Sequence, residues 1–359
     1  MFQKKIKSAR ILPLADVGIR AWPEQNFLFG ILSGSEDGRK WIYNHFIQMR
    51  GSHYIGYQWD AKDASMTFYP YAIHYLSPNM FDLCPFVEKN MIPKSLILGI
   101  FRSFHEFVIH AIDGRYYISS FLDQFFREDM RGHYGFHHPT FIYGYDGGER
   151  IVYIADNFER GKYGTKKITY DQLDRAFRLV PDDMWKYGVY LYRVTSAQYS
   201  FVPGYVKEQL MDYIAPGNGI CYLNRTVCPE SFHDGSDYLN EVFFGVQCYD
   251  LLDHCFQAVI RQDDTYPSKD WRSLVQLCDH KYLMRRRYQY MMENGYAAED
   301  DVLLKDLEEL EKECLIAQNM YIKYTVTDDI KIIERLRERI RKIRQMDIIV
   351  TENFIKRIL

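Results

Sequence analysis

Two short apolar runs bracket the residues best suited to chemistry. His138 opens the first, His137-His138-Pro139-Thr140-Phe141-Ile142-Tyr143-Gly144-Tyr145, and Asp156 and Asn157 close the second, which begins Ile151-Val152-Tyr153-Ile154-Ala155. Both read as strands. Asp146-Gly147-Gly148 between them reads as a hairpin turn, because glycine permits the positive φ that tight turns demand. A two-residue turn at Gly147-Gly148 pairs His138 with Asn157, and a three-residue loop pairs it with Asp156. Directly opposed residues have Cβ atoms about 4.5–5.5 Å apart, near enough for a carboxylate or amide to hold an imidazole. A base oriented in this way is what nucleophilic catalysis requires: the third group fixes the tautomer while the other ring nitrogen faces the nucleophile. The alternative at the same spacing is a structural histidine bonded to a neighbouring loop.

Other polar groups carry less. His133, His137 and His138 with Asp129 match no zinc-ligand spacing, and adjacent histidines on a strand face opposite sides, so no metal is expected. Asp279-His280-Lys281 falls within a helical stretch and fans out around it. A structural polar cluster is the expectation there, with phosphate binding beside Arg285–Arg287 as the alternative. No glycine-rich phosphate loop and no Gly-x-Ser-x-Gly motif occurs.

The elements that must position His138 follow from periodicity. Trp22-Pro23-Glu24 starts a buried helix running through Phe27-Leu28-Phe29 to Leu32, with Pro23 in its first turn. A Gly-Ser-Glu-Asp-Gly break at 34–38 precedes a second helix through Trp41, Ile42, Phe46 and Ile47. Pro93 begins a helix to about Phe104, and 106–112 reads as a strand, with Tyr116-Tyr117-Ile118 as its hairpin partner. Thr169 is an N-cap for a helix through Leu173, and 187–194 is one more strand. Beyond about 200 the strand signal stops. Helices are expected over 206–214, 239–261, 270–294, 302–324 and 328–343, the last amphipathic through Ile332, Ile333, Leu336, Ile340 and Ile343 with charges interleaved. The chain therefore reads as α+β, with domains at 1–200 and 201–359, the second mainly helical.

The order of the 107–112 segment, His138 and its strand, Asp146-Gly147, Asp156, Gly161, and Ile168-Thr169-Tyr170-Asp171-Gln172-Leu173 with Ala176-Phe177 resembles the N-terminal domain of the butirosin-biosynthesis H-type family. Similar proteins near peptide and polyketide assembly lines also resemble the second half, in Phe244-Gly245-Val246, Tyr249-Asp250, Trp271-Arg272-Ser273-Leu274 and Asp279-His280-Lys281. The resemblance implies a papain-like, cysteine-peptidase-type fold and antibiotic biosynthesis. It implies transfer of an acyl or peptidyl group from a carrier-protein thioester to an amine or other small acceptor. An acyl carrier protein is then the partner, and its phosphopantetheine arm the only prosthetic group; no cofactor of the chain's own is expected. His138 would be the base, Asp156 the orienter, Asn157 its substitute, and Gln25 an oxyanion-stabilising amide. The sequence departs from this pattern at the nucleophile. Residues 24–35 contain no cysteine, Ser33 and Ser35 fall at the glycine-rich break, and Cys84 sits in a Leu-Cys-Pro turn. Three accounts stay open: Ser33 or Cys84 serves unconventionally as the nucleophile, the acceptor attacks directly with His138 as base, or the chain is a noncatalytic relative that binds a carrier protein or peptide intermediate.

Bulk properties limit the remaining classes. The net charge of −3 lacks the positive field that phosphate backbones require, so no nucleic-acid partner is expected. The 7 cysteines are odd in number and form no Cys-x-x-Cys pair. Cys221/Cys228 and Cys248/Cys255 repeat at seven residues, which stacks thiols on one helix face, a core pattern expected of reduced cysteines in the cytoplasm. No apolar run reaches the ~18 residues of a membrane span.

Overall fold

Phe104, Phe107, Val108, Ala111 and Ile112 are all buried, and their spacing is that of one face of a helix. In the computed structural model Phe104–Asp113 is accordingly helical, correcting the strand expected over 106–112. The preceding helix is only Lys94–Ile100. Ser103 separates the two, accepting the Glu106 amide proton on its hydroxyl as an N-cap.

The structure describes residues 8–55, 62–68, 81, 84–130, 133–158, 161–182, 188–196, 198–216, 242–263 and 269–359. Cys221, Cys228 and the first three residues of the helix expected over 239–261 lie outside them. Helices are numbered α1 (Pro23–Leu32), α2 (Glu36–His45), α3 (Lys94–Ile100), α4 (Phe104–Asp113), α5 (Tyr170–Leu179), α6 (Pro203–Ile214), α7 (Cys248–Ile260), α8 (Arg272–Glu293), α9 (Asp301–Thr327) and α10 (Ile330–Arg357). Strands are β1 (Ala9–Ile11), β2 (Met49–Ile55), β3 (Lys62–Phe68), β4 (Val87–Ile92), β5 (Tyr117–Asp123), β6 (His137–Asp146), β7 (Ile151–Asn157), β8 (Tyr163–Thr169), β9 (Val189–Val194) and β10 (Val242–Phe244). The chain is thus α+β, with antiparallel sheets and a helical C-terminal region.

It divides into two units, 1–39 with 79–199, and 40–78 with 200–359. The boundary expected at 200 therefore misses an exchange: β2 pairs with β3 and with β10, which ties 49–68 to the later chain. The same pairing shows that strand structure does not stop at 200, since residues 242–247 form β10 and a 3-10 turn before α7 begins.

In the first unit an antiparallel sheet runs β4-β9-β5-β6-β7-β8, with β1 beside the far end of β6. Tyr117-Ile118 belongs to β5, between β9 and β6, and is no hairpin partner of 107–112. Contacts between elements follow the apolar faces: Phe27 of α1 stacks on Phe141 of β6 at 4.4 Å between ring centroids, and Phe104 of α4 on Phe177 of α5 at 3.7 Å. Thr169 caps α5 in a capping box with Gln172, as its sequence position predicts.

In the second unit α8 lies against β3, where Ser273 Oγ donates to the Ala64 carbonyl at 2.6 Å. Arg287 of α8 is wholly buried, and donates from Nε to Tyr43 O at 2.6 Å and from Nη2 to Phe46 O at 2.7 Å. These carbonyls close the C-terminal end of α2, whose dipole favours a cation there. Gly245 has φ +52°, and a Cβ would meet the Tyr213 carbonyl oxygen at 2.1 Å, so only glycine fits. Among the described residues no single helix is long and apolar enough to cross a membrane.

Candidate functional site

His138 stands in β6 between β5 and β7. The hairpin loop is longer than either turn expected from its glycines: Asp146 pairs with Ile151, and a bulge between Ile142 and Gly144 then resets the register to Phe141 opposite Ala155. Continuing that register sets Thr140 opposite Asp156, with His138 two residues along on the same face, a diagonal neighbour. The carboxylate reaches both. His138 Nδ1 lies 2.9 Å from Asp156 Oδ1 and 3.1 Å from Oδ2, and Thr140 Oγ1 donates to Oδ2 at 3.0 Å. The Asn157 amide donates to Oδ1 at 2.6 Å. Gln124 completes the network, donating to Thr140 Oγ1 at 2.9 Å.

This arrangement fixes the ring. Asp156 is fully buried while the His138 side chain keeps 26% exposure. With Nδ1–H given to the carboxylate, Nε2 of neutral His138 carries the lone pair. Phe136 stacks beside the ring at 5.9 Å. Burial opposes a charged imidazole, but Asp156, by charge and hydrogen bond, and Glu24 in the first turn of α1 outweigh it, so the pKa is raised above the ordinary histidine value.

Asn157 does not share the orienting role. Neighbouring residues on a strand face opposite ways, and its Nδ2 donates to the carbonyls of Arg20 and Ala21 at 3.3 and 3.4 Å, which ties the approach to α1. Arg127, unremarked in the sequence, donates to the carbonyls of Asn157 and Phe158 at 3.0 and 2.8 Å and so holds the end of β7. Gln25 is buried in α1, and its amide is not a partner of the His138 ring. Beside it, Asn26 is fully buried with both side-chain polar atoms lacking a hydrogen-bond partner among the described residues. Tyr163, which senses the Asp156 charge, has a buried hydroxyl in the same condition.

Among the described residues no serine, threonine or cysteine side chain hydrogen-bonds the His138 ring, whose one polar partner is Asp156. Ser33 is the C-cap of α1, at the far end of a helix about 15 Å long from Glu24. Ser35 Oγ accepts from Gly38 N and donates to Leu32 O, which makes it the cap of α2. Cys84 is buried, and burial pushes its thiol up to about 12. Native Cys84 should therefore hold roughly a thousandfold less thiolate than an ordinary cysteine. Iodoacetamide at mildly alkaline pH, read by peptide mapping, is expected to leave Cys84 unmodified in the folded protein and modify it after unfolding; rapid native labelling contradicts the burial.

Among the described residues no group of three or more His, Cys, Asp or Glu could hold a metal ion. Asp279-His280-Lys281 does not form a phosphate site on the surface: all three are buried, and His280 and Lys281 bond inward. No family model matches the chain, and no curated protein matches it.

Proposed function

We propose that the first unit is a papain-like domain of the acyltransfer type in which His138 and Asp156 handle the proton and no acyl-enzyme forms. The observation that carries this reading is the His138 ring itself: held at Nδ1 by a buried carboxylate, partly exposed, and hydrogen-bonded to no hydroxyl or thiol of the described chain. In the transfer, the nitrogen of an acceptor amine attacks the carbonyl of a carrier-bound thioester. The N–C bond forms, the C–S bond breaks, and the amine proton passes to His138 Nε2 and on to the departing sulfur.

A noncatalytic carrier-binding protein is the second reading. It is favoured by Asn26, a buried amide at the head of α1, where a papain-like enzyme carries its nucleophile. Intact-mass analysis with acyl-loaded carrier protein and an amine separates the two. Amide product without any acyl adduct on the protein, lost in His138→Ala, is expected. An adduct on the protein, or undiminished product from His138→Ala, would sink the proposal, whereas carrier binding with no product selects the second reading.

A further inference from the structure

A second histidine–carboxylate pair lies in the same unit, on elements the first does not use. His105, in the first turn of α4, is clasped by Asp174 of α5: its ring Nδ1 lies 2.7 Å from Asp174 Oδ2 and its backbone amide donates to Oδ1 at 2.8 Å. Tyr170, one turn before Asp174 on α5, stacks flat on the imidazole at 4.6 Å and 10°. With Nδ1–H committed to the carboxylate, Nε2 of the neutral ring is an acceptor. The group that faces it is Ser103 Oγ, 3.4 Å away. Asp174 cannot donate a proton, so in this tautomer the serine hydroxyl must be the donor.

We propose that Ser103, His105 and Asp174 form a hydrolytic triad acting on carboxylic esters. The order of contacts is the one that nucleophilic serine chemistry needs: Oγ to Nε2, and Nδ1 to a carboxylate that is itself fixed. The separation of 3.4 Å is longer than a working pair requires, and such contacts tighten when substrate binds. Ser103 is also the N-cap of α4, accepting from Glu106 N at 3.3 Å. That role uses an oxygen lone pair and leaves the O–H free to point at His105. A cap alone requires neither the two-point clasp by Asp174 nor the stacked tyrosine.

In the reaction the Ser103 oxygen bonds to the ester carbonyl carbon and its proton moves to His105 Nε2. The Phe104 amide, first in α4 and without a carbonyl partner inside the helix, lies at the positive end of the helix to meet the oxyanion. The carbon–oxygen bond to the alcohol breaks, and the alcohol leaves with the proton from Nε2. Water, deprotonated by His105, then releases the carboxylic acid and regenerates the hydroxyl. The acyl part is expected to be apolar, because the chain leading to Ser103 exposes Leu96 (53%), Leu98 (37%) and Ile100 (69%).

The test is covalent labelling of the full chain with a fluorophosphonate, in which the serine oxygen displaces fluoride and its proton passes to His105. One adduct is expected, on Ser103. Ser103→Asn keeps a good N-cap residue but has no nucleophile, so it should fold with an unchanged melting temperature and take no label. Asp174→Asn should slow labelling about a hundredfold or more. Hydrolysis of p-nitrophenyl butyrate should fall in step in both variants. The proposal is overturned if wild type takes no label at Ser103, or if Ser103→Asn labels or hydrolyses as wild type does.

Discussion

Asp347→Ala is expected to destabilise the protein by about 3–5 kcal/mol, the usual cost of removing one partner from a buried ion pair. Lys281 of α8 and Asp347 of α10 are 0% and 1% exposed, with Nζ 2.5 Å from Oδ2. The same oxygen accepts the hydroxyls of Tyr213 at 2.6 Å and Tyr249 at 3.0 Å. Lys281 also donates to Tyr213 and to His280 Nδ1. That last bond sets the tautomer of His280, whose Nε2–H then donates to the Ile47 carbonyl at 2.7 Å. Burial and the neighbouring Lys281 charge keep His280 neutral, its pKa well below the ordinary value. One carboxylate oxygen is therefore the acceptor for three donors. Without it the ammonium is left among neutral groups and two phenols lose their partner.

The comparison that isolates charge from packing uses two further variants. Asp347→Asn keeps an acceptor oxygen and should lose less than alanine does. Lys281→Met with Asp347→Leu removes both charges and should recover much of the loss, since apolar replacements of similar volume often match a buried pair. Guanidinium unfolding midpoints give the order. A loss below about 1 kcal/mol for Asp347→Ala would mean that the pair is solvated, contrary to its burial.

What the sequence made legible depends on whether one signal dominates locally. The C-terminal helices were readable because Ile332, Ile333, Leu336, Ile340 and Ile343 repeat on one face, and all five are buried in α10. α4 was misread because Phe107, Val108, Ile109 and Ile112 are also strand formers. The deciding marks were Ser103 with Glu106 three residues later, and the 104, 107, 108, 111 spacing, which only a helix buries on one side. The His138–Asp156 contact was foreseeable because a hairpin brings its two ends together whatever its turn. The register was not, because a bulge at Tyr143 leaves no mark in a run of aromatics. Ser103, His105 and Asp174 were invisible: 69 residues separate the histidine from its carboxylate, and only the packing of α4 on α5 joins them. The Asp279-His280-Lys281 run was legible as a structural polar cluster, but the partner of Lys281 was hidden for the same reason, since Asp347 lies 66 residues further along the chain.

Asp156→Asn is expected to reverse the pH dependence that His138 imposes. In the native protein the ring binds its proton more tightly than in the unfolded chain, because Asp156 and Glu24 outweigh burial. The stabilisation this confers is complete below the unfolded pKa, about 6.5, and is lost as pH rises through the higher folded value. Asparagine removes both contributions of Asp156. Burial and Arg127 then prevail over Glu24, so the folded pKa should drop below the unfolded one. In that variant His138 adds stability at higher pH and loses it as pH falls, the opposite slope. The stability difference between the two proteins should therefore be greatest on the acid side of neutrality and shrink toward alkaline pH, and an NMR titration of the imidazole should show the pKa moving to the acid side. If His138 is the base for amine attack, the acyl-transfer rate of the native protein rises as the ring deprotonates. The variant's profile should shift the same way as its pKa, with the plateau lower by about 10²–10⁴, because the ring is both a weaker base and less firmly aimed. A titration midpoint that does not move on replacing Asp156 would show that the carboxylate does not govern this histidine. A shifted midpoint with an unchanged plateau would leave the ion pair in place and remove His138 from the proton transfer.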